Sequence, residues 1–260
     1  VSHDAVVEQP IAANVDLALL TMAIDDDYSL RRLERYLTLA WDSGATPIVI
    51  LTKSDLAPSA HLTDLMAAVD TVAFGVRCIA TSATTGVGLD EMRLALEPGT
   101  VAALLGSSGV GKSSLVNALA GTDLQAVTDV REFDGKGRHT TTSRQLVTLP
   151  WGAYIVDTPG LRELQLWADE EALASSFPDI ADLAGDCRFR DCTHGSEPGC
   201  AVLSAVADGS LSEERLASWR RLHRELTYLA RRVDPAAARA ERQKWKSIAR
   251  ARRALNRQRP

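Results

Sequence analysis

Gly106-Ser107-Ser108-Gly109-Val110-Gly111-Lys112-Ser113 fits the pattern G-x-x-x-x-G-K-[ST], a phosphate-binding loop. The apolar run Val101 to Leu105 leads into it as a strand, and Ser114 to Ala120 leads out as a helix. That context gives the motif its meaning; a chance Gly/Ser turn would lack it. The glycines let backbone N–H groups close around phosphate oxygens, and the helix N-terminus adds the positive end of its dipole. The binding set runs from Gly106 to Ser114. Within it Lys112 reaches the β- and γ-phosphates and the Ser113 hydroxyl sits on Mg²⁺. The loop implies a nucleoside triphosphate and leaves the base and the reaction open.

Working outward, the flanking sequence alternates strands with helices. Toward the N-terminus, Val15 to Ile24, Pro47 to Leu51 and Val76 to Ala80 read as buried strands. Helices are expected over Leu30 to Trp41, around Leu62 to Val69, and over Leu89 to Leu96, with Gly44 ending the first. Asp25-Asp26-Asp27 stands where it could cap the first helix. Toward the C-terminus, residues 121–142 are polar and without period, as functional loops often are. Arg144 to Leu149 and Ala153 to Val156 read as a strand pair across Pro150-Trp151-Gly152. The pattern predicts an α/β fold with a parallel sheet covered on both faces. From about Leu161 the rhythm is lost. Helices are then expected near 170–176, over Ala201 to Val206, Ser212 to Arg232, and Pro235 to about Asn256.

The 260 residues allow one large or two ordinary domains, and 45% of them are hydrophobic, enough for a sizeable core. No apolar run approaches the roughly 20 residues of a membrane span, so no membrane partner is expected. Nothing at the N-terminus resembles a signal peptide, which points to a cytoplasmic protein. The net charge of −5 hides an asymmetry. Residues 231–260 hold eleven Lys/Arg against two Asp/Glu, a net of +9, which leaves −14 on residues 1–230. A basic tail on an acidic body fits a polyanionic partner; on charge alone, a solvated Arg-rich helix fits equally well.

Three further motifs follow apolar strands, where an open α/β sheet places its ligand. Asp157-Thr158-Pro159-Gly160 offers a carboxylate for Mg²⁺ and an N–H for the γ-phosphate. Thr52-Lys53-Ser54-Asp55 offers a carboxylate that can accept from guanine N1–H and N2–H₂, a donor pair adenine lacks. The Lys53 stem can lie on the base plane, and Ser82-Ala83 can offer backbone N–H to guanine O6. Each match alone is weak; together, each after its own strand, they single out a guanine nucleotide. An ATP-dependent enzyme would make Asp55 an accident.

The order is unusual. The base-reading motifs at 52–55 and 81–83 precede the phosphate loop, and Asp157 comes last. This is a circular permutation of the Ras-like order. It is physically allowed because the site needs strand ends in space, not in sequence. Leu161 stands where Ras-like enzymes keep a water-orienting Gln.

A second cluster, Cys187-x₄-Cys192-x-His194-x₅-Cys200, places three thiolates and an imidazole within fourteen residues. Four protein ligands of this kind suit one structural zinc per chain, with no open position for catalysis.

The sequence resembles the ribosome small subunit-dependent GTPase A family along nearly its whole length. Thr52 to Asp55, Gly106 to Ser113, Gly137-Arg138-His139-Thr140-Thr141-Thr142 and Asp157 to Gly160 look like its nucleotide motifs. Cys187 to Cys200 looks like its zinc motif. The resemblance implies a permuted P-loop GTPase domain over 1–165 and a mainly helical zinc-binding domain over 166–260. It implies hydrolysis of GTP to GDP with Mg²⁺, late maturation of the small ribosomal subunit, and rRNA as a partner of a monomeric protein. It points to His139 as the group that acts in place of the missing Gln. One of Thr140, Thr141 and Thr142, with Thr141 favoured, would bind Mg²⁺. The family carries an oligonucleotide-binding barrel ahead of the GTPase domain, for which the residues before Val15 are too few. The alternative is an RNA-binding assembly factor that uses GTP only as a conformational switch.

Overall fold

The structure is a computed structural model that describes residues 12–25, 27–122, 145–157 and 170–233, with backbone alone at 170 and 229–233. The strands are β1 (Leu17–Ala23), β2 (Thr46–Thr52), β3 (Cys78–Ala80), β4 (Val101–Leu105), β5 (Gln145–Thr148) and β6 (Tyr154–Asp157). The helices are α1 (Leu30–Asp42), α2 (Ser59–Asp70), α3 (Leu89–Ala95), α4 (Lys112–Ala120), α5 (Glu170–Ser176), α6 (Pro178–Gly185), α7 (Ala201–Asp208) and α8 (Glu213–Val233).

The strands form one sheet in the order β3-β2-β1-β4-β6-β5. All neighbours are parallel except β5 and β6, the antiparallel pair joined across Pro150-Trp151-Gly152. The register pairs Ala23 with Thr52, Leu51 with Ala80, Leu20 with Leu105, and Leu104 with Asp157. The carboxyl ends of five parallel strands therefore lie side by side, although they come from sequence positions as far apart as 23 and 157.

Side chains alternate between the two faces along each strand. Leu19, Ile50, Ile79 and Leu104 pack on one face with Met92 of α3 and Leu115 and Leu119 of α4. Leu20, Met22, Val49 and Leu51 pack on the other with Leu33, Tyr36 and Leu37 of α1 and Val69 of α2. Both faces are buried, which is why these strands read as continuous apolar runs. Among the described residues, no helix is long and apolar enough to cross a membrane.

A separate cluster holds α5 to α8 together around the fully buried Phe177, with Ile180, Val202, Leu216, Leu222 and Leu226. This helical unit docks on α1. Arg215 is nearly buried, pairs with Asp179 through two nitrogens at 3.0 and 3.1 Å, donates to the Ser176 carbonyl at 2.9 Å, and reaches Glu34 of α1 at 3.2 Å. Its guanidinium lies 4.1 Å over the Phe177 ring. Burial pushes the Glu34 carboxyl above its usual range, against bonds from Ser218 and Arg215 that favour the charged form. Arg35 adds an ion pair to Glu225 at 2.6 Å.

Three local expectations change. The N-cap of α1 is Ser29, whose side chain makes no cap bond, rather than the acidic triplet; Asp27 instead pairs with Arg32. β3 begins at Cys78, not Val76. α6 was not anticipated, although Pro178 at its first turn followed by Asp179 is a helix-start signal. The Ser212 cap is present, its hydroxyl accepting from the Arg215 N–H at 3.1 Å. The expected domain boundary at 165/166 and the helix from Pro235 lie outside the described residues.

Candidate functional site

The site sits on the edge formed by the carboxyl ends of β1, β2, β3, β4 and β6. Gly106 ends β4 and touches β1 so closely that a Cβ there would lie 2.5 Å from the Thr21 carbonyl oxygen. No side chain fits that gap. Gly111, at φ 93°, occupies the left-handed backbone region that L side chains avoid, and it caps α4. Between them Ser107, Ser108, Gly109 and Val110 make the turn, and Ser113 and Ser114 open the helix. Ser108 and Gly109 are exposed while Val110 is buried, anchoring the loop from below.

Lys112 is buried, and its ammonium donates to the Gly106 carbonyl at 2.9 Å and the Ser107 carbonyl at 2.7 Å. An ammonium has three protons, so one donor direction remains for a ligand. Burial lowers the pKa of Lys112, and the charges of Asp157 and Asp27 act against that shift. Asp157 at the end of β6 is fully buried beside this lysine.

The base-reading loop is tied to the phosphate loop directly. The Thr52 hydroxyl, nearly buried, donates to the Val110 carbonyl at 2.5 Å. Thr therefore does by a single hydroxyl what fixes one loop against the other. Lys53 adopts φ 59°, a conformation uncommon for a residue with a Cβ, and pairs with Asp25 at 2.7 Å. Burial works to raise the Asp25 pKa, but the Lys53 partnership and backbone bonds hold it below its usual value. Asp55 stands exposed on a single turn of 3₁₀-helix, Ser54–Leu56, free to meet a ligand edge.

The third loop is more selective than the sequence suggested. The Ser82 N–H already bonds the Val87 carbonyl at 3.0 Å, and the Ser82 hydroxyl accepts from the Thr85 N–H at 3.1 Å. Ala83 is exposed, and among the described residues its N–H has no backbone partner. The donor available to a base is that of Ala83, with Ser82 shaping the turn. His139, Thr141 and Gly160 lie outside the described residues.

The structure adds residues the motifs did not name. Asp25 orients Lys53, and Asp27 and Arg32 lie beside the phosphate loop. The acidic triplet at the end of an apolar strand was the available signal. Its position matched the other motif-bearing strand ends.

The second site lies in the helical unit. The ligand atoms of Cys187, Cys192, His194 and Cys200 all fall within 4.8 Å of one another. Cys187 Sγ and Cys200 Sγ are 3.8 Å apart, and His194 Nδ1 is 3.4 Å from Cys200 Sγ and 3.7 Å from Cys187 Sγ. The sulfurs are far beyond the roughly 2 Å of a disulfide. They match the edges of a tetrahedron about 2.3 Å in radius, the geometry thiolates take around zinc. His194, at φ 55°, is turned into the cluster, and its carbonyl accepts from Arg220. Trp219 packs against the His194 ring at 5.0 Å and stacks on His223 at 4.8 Å. This set can hold a metal ion and leaves no protein position open for catalysis.

The family model described as RsgA GTPase matches residues 1–167. A Listeria innocua protein named small ribosomal subunit biogenesis GTPase RsgA 1 is 49% identical over 241 residues, covering 93% of this chain and 69% of its own. The Opitutus terrae protein named small ribosomal subunit biogenesis GTPase RsgA is 50% identical over 255 residues, covering 98% and 69%. Among solved structures, YjeQ from Thermotoga maritima matches with a TM-score of 0.62 at 31% identity, over 82% of this chain and 72% of that one. YloQ, described as a circularly permuted GTPase, matches with a TM-score of 0.60 at 27% identity, over 82% and 68%.

Proposed function

The chain belongs to the RsgA GTPase family, and from that premise we propose how its residues carry the work. It is a GTP hydrolase of small ribosomal subunit maturation. One observation supports the residue assignment above all others. Thr52 to Asp55, Ser82-Ala83, Gly106 to Ser114 and Asp157 converge on adjacent strand ends despite their permuted order.

Asp55 accepts from the guanine edge, the Lys53 stem covers the base, and the Ala83 N–H meets O6. The loop from Gly106 to Ser114 wraps the phosphates, with Lys112 donating a hydrogen bond to them through its remaining N–H. Mg²⁺, when bound, would neutralise negative charge on the phosphates. Ser113, Asp157 and Thr141 would hold it, directly or through water. Gly160 would sense the γ-phosphate through its N–H, and His139 would orient the attacking water in place of a Gln. Hydrolysis then rests on positioning and on charge stabilisation by Lys112 and backbone donors. Cys187, Cys192, His194 and Cys200 would hold one structural zinc.

The partners of this reading are GTP, GDP, the small ribosomal subunit and its rRNA, met by a monomer in the cytoplasm. The division falls near residue 165, between the GTPase domain and the zinc-binding domain. The basic residues 231–260 supply charge for rRNA phosphates, and such binding weakens steeply with salt.

Nucleotide selectivity tests the base assignment. The wild-type protein is expected to bind GTP far more tightly than ATP, and Asp55→Asn to lose most of that preference. A site built on hydrogen bonds discriminates strongly, so the loss should reach at least about a hundredfold. Equal binding of ATP and GTP by the wild type would refute the guanine reading. Separately, His139→Ala should slow turnover while leaving GTP affinity near wild type; unchanged turnover removes His139 from the mechanism.

A further inference from the structure

Beside the phosphate loop lies a network that the nucleotide motifs do not include. Arg32, in the first turn of α1, donates through one nitrogen to both Asp27 and the Ser107 hydroxyl. The hydroxyl of Tyr36, one turn further along α1 and nearly buried, also hydrogen-bonds Ser107. Two side chains of α1 thus converge on one phosphate-loop residue. The Ser107 carbonyl is one of the two that hold the Lys112 ammonium.

Asp27 is the hazard in this arrangement. Its second carboxylate oxygen, Oδ2, is buried and has no hydrogen-bond partner among the described residues. With Asp157, Asp27 is one of the two carboxylates whose negative charge favours the charged form of Lys112. One Arg32 nitrogen joins this carboxylate to Ser107, so without Arg32 it would stand unpaired next to the phosphate loop, where it would compete with phosphate oxygens for the lysine. Arg32 engages the other oxygen, Oδ1, and its positive charge offsets the negative charge of the carboxylate.

We propose that Arg32 is a positioning residue of the nucleotide site. It occupies Asp27 so that Lys112 stays available to phosphate, and it holds the Ser107 hydroxyl that shapes the loop. The helix carrying Arg32 is fixed from its other side by the helical unit. Glu34 and Arg35, two and three residues on, pair with Arg215 and Glu225. Arg32 acts through Lys112 and Ser107, with no role in the chemical step. The proposal rests on the GTPase reading given above.

The test uses the full chain, Mg²⁺ and a fluorescent guanine nucleotide, with affinity and single-turnover rate measured separately. Arg32→Gln should weaken nucleotide affinity by on the order of tenfold, the scale of misplacing a binding group. Adding Asp27→Asn to Arg32→Gln should restore most of it, because the competing carboxylate is gone. The rescue should persist at about 1 M salt, where long-range fields are screened to roughly 3 Å, so that mere restoration of net charge does not account for it. Ser107→Ala provides a second variant that leaves Asp27 engaged. It should change affinity less than Arg32→Gln, and adding Asp27→Asn should not improve it. Unchanged affinity in Arg32→Gln, or a loss that Asp27→Asn does not repair, overturns the proposal. A wild-type protein that fails to bind guanine nucleotide refutes the GTPase reading instead, so the two failures are distinguishable.

Discussion

The sheet domain and the helical unit reach a fixed structure by different means. The sheet buries both faces, and its two clusters draw on strands and helices from Val15 to Ile155. The helical unit has one smaller cluster around Phe177, and the segment from Cys187 to Cys200 contributes mainly ligand side chains to it. The first holds its loops by burying the strands that carry them. The second has a stretch with little apolar sequence whose four candidate ligands gather within reach of one ion. Position is inherited from packing in one region; in the other, the proposed zinc would supply it by coordination.

The sharpest way to break this contrast is to take the metal away. Structural zinc contributes on the order of 10 kcal/mol of folding free energy in small metal-binding peptides. Chelation, or Cys192→Ser, should therefore expose the amides of residues 187–200 to rapid hydrogen exchange. The strands β1, β2 and β4 should stay protected. Simultaneous loss of protection in both regions would show that the sheet domain depends on the metal as well.

A smaller effect is expected at the seam. Arg215→Ala strands the nearly buried Glu34 and takes the partner from the half-buried Asp179. Removing one partner of a buried ion pair costs about 3–5 kcal/mol. Chemical denaturation should show that loss in the helical transition, with nucleotide affinity affected less. A neutral result would mean that the two units are held together elsewhere.

Within the sheet domain, Lys112→Ala should cut nucleotide affinity by on the order of a hundredfold, from about 3 kcal/mol of charge-assisted hydrogen bonding. The thermal midpoint of the nucleotide-free protein should fall, because two loop carbonyls and the buried Asp157 lose their cationic partner. The smallest effect is expected from Thr52→Val, which deletes the hydroxyl that reaches the Val110 carbonyl. The cost is about 1 kcal/mol, read as a proportionate loss of GTP affinity. A much larger loss would make Thr52 a ligand contact as well as a tie between loops.

The sequence exposed these two regions unequally. Strand runs such as Thr46 to Thr52 are continuous and apolar because both their faces are covered, so the fold could be read from hydrophobicity and punctuation. The phosphate loop was legible because Gly106 and Gly111 are each required by a backbone constraint. The metal ligands were legible by residue type and spacing. α6 was missed because its eight residues carry too short a period to stand out, although Pro178 marked its start. Arg32 and Asp27 were missed as site residues because their role depends on the approach of α1 to Ser107, a contact 75 residues apart in sequence that no local pattern encodes. Glu34 and Arg215 escaped notice for the same reason, since each looks like an ordinary exposed helix charge until the two helices dock.

The permuted motifs assemble a GTPase that works in maturation of the small ribosomal subunit. Turnover of GTP and of ATP, each measured with and without purified small ribosomal subunits at low and high salt, tests it most directly. The expected result is slow turnover of GTP alone, of order 10⁻⁴ to 10⁻² s⁻¹ as for unassisted enzymes of this type. Subunits should stimulate it markedly at low salt and much less at high salt, with ATP inert throughout. Hydrolysis of ATP at a similar rate, or GTP turnover indifferent to the subunit at both salt concentrations, would contradict the claim.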